Sequence, residues 1–180
     1  MSIIEPEGKA ITRSFRLDKA WNDAIIEEAE KQGVSVSGLL EKIVKDYVLF
    51  YRWCEALNSI IFSPNTIKGI IDAIDEEALV EIAENVAKST FTESYLVRGD
   101  GIDVDLVSFQ ITDQMAKYAH WFTAMEHDTN SHYYYLKHQL GEKWSIFVEA
   151  YVKSLFEDAV GVKVSTDRVG ENILVKLDDG

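Results

Sequence analysis

Between residues 11 and 17 the side chains alternate in character. One parity gives Ile11, Arg13, Phe15 and Leu17, and the other gives Thr12, Ser14 and Arg16, all capable of hydrogen bonding. Successive strand side chains point to opposite sides, so this stretch predicts a short strand with two unlike faces. The period then changes. Trp21, Ala24, Ile25 and Ala29 recur at three- and four-residue spacing, which predicts a helix of about fourteen residues, N-capped by Asp18 and stopped by Gly33. Ser35 is the natural cap of a second helix, with Leu39, Leu40, Ile43, Val44, Tyr47 and Val48 along one side. The same pattern runs on through Phe50, Tyr51, Trp53, Cys54, Leu57, Ile60 and Ile61, until Ser63-Pro64 ends it.

Further helices are predicted near 65–73, at 75–89 behind an Asp75 cap with Glu76 and Glu77 in its first turn, and at 103–119 behind Asp103. Gly99-Asp100-Gly101 is the clearest loop between them. Residues 120–127 and 131–138, rich in Trp, Phe and Tyr, read as a hairpin around Asp128-Thr129-Asn130. An amphipathic helix follows at 142–158, carrying Trp144, Phe147, Val148, Tyr151 and Leu155, and a second hairpin has strands near 162–166 and 171–177. The order of helices, hairpin, helix and hairpin defines an α+β class with an antiparallel sheet. Three regions result: a module at 9–52, a helical extension or linker at 53–64, and a C-terminal α+β domain at 65–180.

Composition narrows the class. The chain of 180 residues is 47% apolar and 27% charged, as in an ordinary folded domain, which excludes a disordered or fibrous chain. A lone cysteine, Cys54, excludes an intramolecular disulfide framework. No apolar run approaches the roughly 18–20 residues of a membrane span, and the first residues lack the basic flank and apolar core of a signal peptide, so no membrane association and a cytoplasmic location are expected. The net charge of −13 argues at first against nucleic acid, since phosphate contacts need positive charge. Resolved by position it does not. Residues 9–52 hold eight bases against seven acids, whereas residues 53–180 hold ten bases against 22 acids. The first four bases, Lys9, Arg13, Arg16 and Lys19, fall within eleven positions against a single acid, Asp18.

A strand and two helices of some forty residues bury too little apolar surface to be stable alone. The strand also has two open edges. Both problems vanish if two copies associate, pairing their strands across a two-fold axis into a ribbon of the kind that fits a DNA major groove. The residues Ser14-Phe15-Arg16-Leu17-Asp18 leading into the first helix, with Glu30-Lys31-Gln32-Gly33-Val34-Ser35-Val36-Ser37 at the turn, resemble the ribbon-helix-helix repressors of the Arc and MetJ type. The resemblance covers residues 9–52. It implies that Thr12, Ser14 and Arg16 read base edges, and that the backbone amides at Ser35, Val36 and Ser37 hold a phosphate, a role the helix dipole independently favours. Lys9, Arg13 and Lys19 would meet backbone phosphates. Arg13 departs from the pattern, standing where such ribbons carry an apolar residue.

All four histidines, His120, His127, His132 and His138, lie within nineteen residues. With a hairpin loop from Asp128 to Ser131, His127 faces His132, and His138 lies farther along the same face, an arrangement that offers imidazoles to a transition metal. The bland alternative is ordinary sheet or interface histidines. Nickel-responsive repressors join a ribbon-helix-helix module to a histidine-bearing domain, but this chain lacks their His-x-His pair and nearby Cys. Tyr133-Tyr134-Tyr135 either pack the sheet or line a surface that takes an apolar ligand or a base. The order of elements after residue 65 is faintly similar to the vinyl-reductase type of small-molecule-binding domain, without the cysteines such domains often carry. No nucleophile–base signature, Walker loop or zinc-ligand pair is present, so neither an enzyme nor a cofactor is expected.

The expectation is therefore a homodimeric or larger regulator of transcription, a repressor by resemblance, bound to double-stranded DNA. Its C-terminal domain would sense a small-molecule effector or mediate assembly. The alternative is an antitoxin-like interaction protein whose acidic domain binds a basic partner.

Overall fold

The computed structural model describes residues 8–98, 102–128 and 132–178; the predicted Gly99-Asp100-Gly101 loop and the tip of the first hairpin lie outside them. The chain divides into two compact units, residues 1–59 and 60–180. Its class is mixed α and β, with one four-stranded antiparallel sheet among the described residues. No described helix is long and apolar enough to cross a membrane.

In the first unit, α1 (Lys19–Gln32) starts where Asp18 Oδ1 accepts the Ala20 N–H at 2.8 Å. It stops where Gly33 takes the left-handed conformation, φ 66°, and returns its own N–H to the last turn. Ser35 Oγ accepts the Gly38 N–H at 3.1 Å and opens α2 (Val36–Asp46). That helix continues through a π-helical turn, Tyr47–Tyr51, into α3 (Arg52–Ala56). The predicted run of helix to Ile61 is not formed. Asn58 adopts φ 52°, and the N–H groups of Asn58 and Ser59 fold back onto Glu55 and Cys54 carbonyls at 3.2 and 2.9 Å. Asn tolerates the left-handed region better than most residues, so it ends the helix before the apolar residues that follow can extend it.

The second unit begins with α4 (Pro64–Asp72), capped by Ser63, and α5 (Glu76–Arg98). The latter is nine residues longer than its predicted end at Ser89. Leu79, Ala83, Ala87, Phe91 and Tyr95 recur every four residues and are all buried, so one continuous face carries the helix past the less favourable Ser89-Thr90 pair. Next come α6 (Val104–Phe109), continued by a π-helical stretch at Gln110–Tyr118, then β1 (Thr123–Asp128) and β2 (His132–Lys137). After α7 (Glu142–Ser154), itself ending in a π turn at Leu155–Ala159, the strands β3 (Val164–Val169) and β4 (Asn172–Leu177) close the sheet in the order β1-β2-β4-β3. The two hairpins thus join into one sheet by pairing β2 with β4.

One face of that sheet carries Tyr134, Leu136, Ile173 and Val175, all fully buried, and α7 packs against the sheet and against α5. Side-chain bonds fix α7 in place. Trp144 Nε1 donates to the Trp121 carbonyl at 3.0 Å, Glu149 accepts from Thr166 and Arg168 of β3, and the Lys143 ammonium donates to the Asp72 and Ile74 carbonyls at the end of α4. Trp121, Trp144, Phe147 and Tyr151 form one aromatic cluster, whose ring centroids lie 5.2–6.0 Å apart. Within it, burial pushes the Tyr151 phenol up to about 12. On the opposite face Tyr133, Tyr135 and Leu174 are half-buried, and Met125, His127, Lys137 and Lys176 around them are exposed.

Candidate nucleic-acid interface

In the single chain, residues 9–18 have no regular secondary structure. A strand exists through its ladder partner, and one copy of this segment supplies none. The paired ribbon expected at 11–17 is accordingly not formed here. Thr12, Ser14 and Arg16 are exposed, and so are Lys9, Arg13 and Lys19. Lys19 makes only a long 3.9 Å contact with Asp23, both side chains open to water. Such a pair contributes little, and it leaves the ammonium available.

Ser35, Val36 and Ser37 occupy the N-cap and first turn of α2, as the capping signal predicts. The Ser35 hydroxyl satisfies the Gly38 amide. The earlier amides, at Val36 and Ser37, are the ones a helix start leaves without an intrahelical carbonyl, and Ser35 and Ser37 are exposed.

The apolar stripes of α1 and α2 are the larger departure from expectation. Apolar residues of the predicted helix faces remain uncovered: among the described residues of the first unit Ala29, Leu39 and Leu49 alone are buried, while Trp21 is 67% exposed and Val44 61%. An open groove of about 320 Å³ between the helices is lined by Ala24, Ile25, Leu39 and Ile43 together with Glu28 and Lys42. The core expected along these helix faces is therefore not formed: Ile43 and Tyr47, like Trp21 and Val44, stay exposed. What one chain lacks is the surface to cover them.

The histidine arrangement is corrected. The observed register pairs His127 with Tyr133 and Asp128 with His132, one step from the register that would oppose the two histidines. Because a one-residue slip moves a side chain to the other face, His127 and His132 point to opposite sides of the sheet. His127 stacks on Tyr133, with centroids 4.8 Å apart. His132 bonds Glu126 at 2.7 Å, and the same carboxylate oxygen accepts the Ser108 hydroxyl at 2.9 Å. His138 follows six residues after His132, about 20 Å along an extended chain, and is buried. Among the described residues no group of three His, Cys, Asp or Glu side chains converges as a metal site.

Compared with protein-family models, curated proteins and solved structures, the chain matches none. Its residues and geometry therefore carry the functional argument.

Proposed function

We propose that the protein is a dimeric, sequence-specific DNA-binding regulator of transcription, whose N-terminal unit is of the ribbon-helix-helix kind. Two copies of residues 11–17 pair antiparallel, and the exposed stripes of α1 and α2 cover one another across the two-fold axis. The observation that carries this reading is the uncovered apolar surface of residues 8–57, which has two well-capped helices and almost no interior of its own. Arg16 donates a bidentate pair of hydrogen bonds to a guanine edge, with Thr12 and Ser14 beside it. Lys9, Arg13, Lys19 and the first amides of α2 hold phosphates. The C-terminal unit acts as a sensor or assembly domain, and its acidity turns the ribbon end of the dimer towards DNA.

Selection of duplexes from a randomised pool, followed by binding across a salt series, tests this. Wild-type protein enriches a two-fold symmetric site. Arg16→Ala loses about 1–3 kcal/mol at the guanine position, while Lys9→Ala lowers affinity for all sequences and flattens the salt dependence. Trp21→Glu yields a monomer in sedimentation and abolishes binding. Unchanged sequence preference in Arg16→Ala, or a dimeric Trp21→Glu, overturns the reading.

A further inference from the structure

The solvent face of the C-terminal sheet departs from the usual polar exterior of an antiparallel sheet with one buried side. Tyr133 and Tyr135 stand two residues apart on the inner strand β2, hence on the same face and about 7 Å apart along the chain. Both are half-buried. The Tyr135 hydroxyl donates to Asn172 Oδ1 at 2.6 Å, which draws the side chain across to β4. His127 stacks on Tyr133 with the ring planes 19° apart, and Met125 and Leu174 flank Tyr135 in register on either side.

Charge on this face runs against that of the domain. Lys176 lies directly opposite Tyr133, and Lys137 follows two residues after Tyr135; Asp167 is the one acid in the face's paired rows. Elsewhere in the same unit Lys68, Lys88, Lys117 and Lys153 each pair with a carboxylate. Among the described residues neither Lys137 nor Lys176 has a carboxylate within ion-pair distance, although 22 acids lie beyond Arg52. Two exposed, uncompensated ammonium groups beside two half-buried aromatic rings suit a ligand that is both planar and anionic.

Size separates the occupants. Four strands of six residues cover about 20 by 20 Å, on the order of 400 Å². That is half of the roughly 800 Å² per partner of a standard protein interface, which disfavours a second copy of the sheet as the occupant. It matches the two or three bases that a four-stranded sheet presents on its aromatic residues. We propose that this face binds a short single strand of nucleic acid, with Tyr133 and Tyr135 stacking on bases and Lys137 and Lys176 meeting the phosphates. The inference does not rest on the N-terminal reading, because the two surfaces lie on separate units.

Fluorescence anisotropy of full-length protein with labelled eight-nucleotide oligouridine and oligothymidine tests it. Stacking predicts that Tyr133→Ala and Tyr135→Ala each weaken binding by about 5- to 150-fold, whereas Tyr135→Phe stays near wild type. The Lys137→Gln/Lys176→Gln double variant lowers the slope of log affinity against log salt by about 1.4. Arg16→Ala leaves this binding unchanged. Circular dichroism spectra matching wild type establish that the variants fold. Oligonucleotide affinity unaffected by Tyr133→Ala and Tyr135→Ala overturns the proposal, and so does loss of binding in Arg16→Ala alone. Sedimentation in which Tyr135→Ala breaks a wild-type oligomer that binds no oligonucleotide overturns it in favour of a protein interface.

Discussion

The His138 ring meets the Ser145 hydroxyl at 2.8 Å, joining the end of β2 to the first turn of α7. The direction of that bond follows from its neighbours. Ser145 Oγ donates its single proton to the Gly170 carbonyl at 2.7 Å, so it accepts from His138 Nε2–H. The Leu140 N–H donates to Nδ1 at 3.2 Å, so the ring is neutral and both its nitrogens are satisfied. Burial pushes the His138 pKa below its ordinary value, while the Glu171 carboxylate pulls the other way without prevailing. A second proton would sit on Nδ1 and face the Leu140 N–H, donor against donor.

This predicts the sign of a pH effect on stability. Above about 6.5, the ordinary histidine value, the ring is neutral in both folded and unfolded chains and contributes no slope. As pH falls below that, the unfolded chain takes up the proton first, so stability drops until the folded-state pKa is passed. Thermal unfolding from pH 7.5 to 5 reads it, and His138→Asn shows a shallower decline than wild type over that window. Parallel profiles for the two proteins would show that His138 does not contribute to the slope.

The two faces of the sheet give unequal costs for similar substitutions. Leu136 is fully buried between Ile173 on β4 and Ala124 on β1, so Leu136→Ala loses about 2–5 kcal/mol in denaturant unfolding. Met125 lies one residue away in parity and is 55% exposed; Met125→Ala changes stability by about 0.5 kcal/mol or less. Equal losses would require a sheet slipped by one residue.

Gly141 joins β2 to α7 at φ 88°, ψ 167°, a region that a side chain disfavours. Its N–H donates to Glu171 Oε1 at 2.8 Å, and a Cβ there would lie 2.8 Å from Lys68 Nζ. The lysine end can swing aside, so backbone strain dominates. Gly141→Ala destabilises by about 1–3 kcal/mol, measured by denaturant unfolding, and Lys68→Ala in the same background does not restore the loss.

Much of the fold was legible because local chemistry decides it. Asp18, Gly33 and Ser35 fix the helices of the first unit by capping alone, and their side-chain and backbone geometry matches the residue types. The hairpin register was not legible. Pattern gives the parity of the buried residues, but which residue opposes which depends on the turn, and the one-residue difference separated His127 from His132. The π-helical turns were also invisible, since 103–119 reads as one regular period although Gln110–Tyr118 is wound more loosely. For the candidate DNA interface the sequence located Arg16 and its neighbours on an exposed segment, while the pairing that would make them a ribbon is a property of two chains. Lys137 and Lys176 carry no signal of their own in the sequence, because only the register sets Lys176 beside Tyr133.

The strand order carries a consequence for how the second unit is made. β4 sits between β2 and β3, and Tyr135 reaches a bonding partner 37 positions further along. The β1–β2 hairpin is synthesised first and keeps an unsatisfied inner edge while α7 and β3 emerge. Hairpins form within about 1–10 μs, but the central ladder has to wait for a long loop to close. The sheet is thus completed from the middle, by insertion of its final strand, and during translation the edge of Tyr133-Tyr134-Tyr135 is the stretch most open to mispairing.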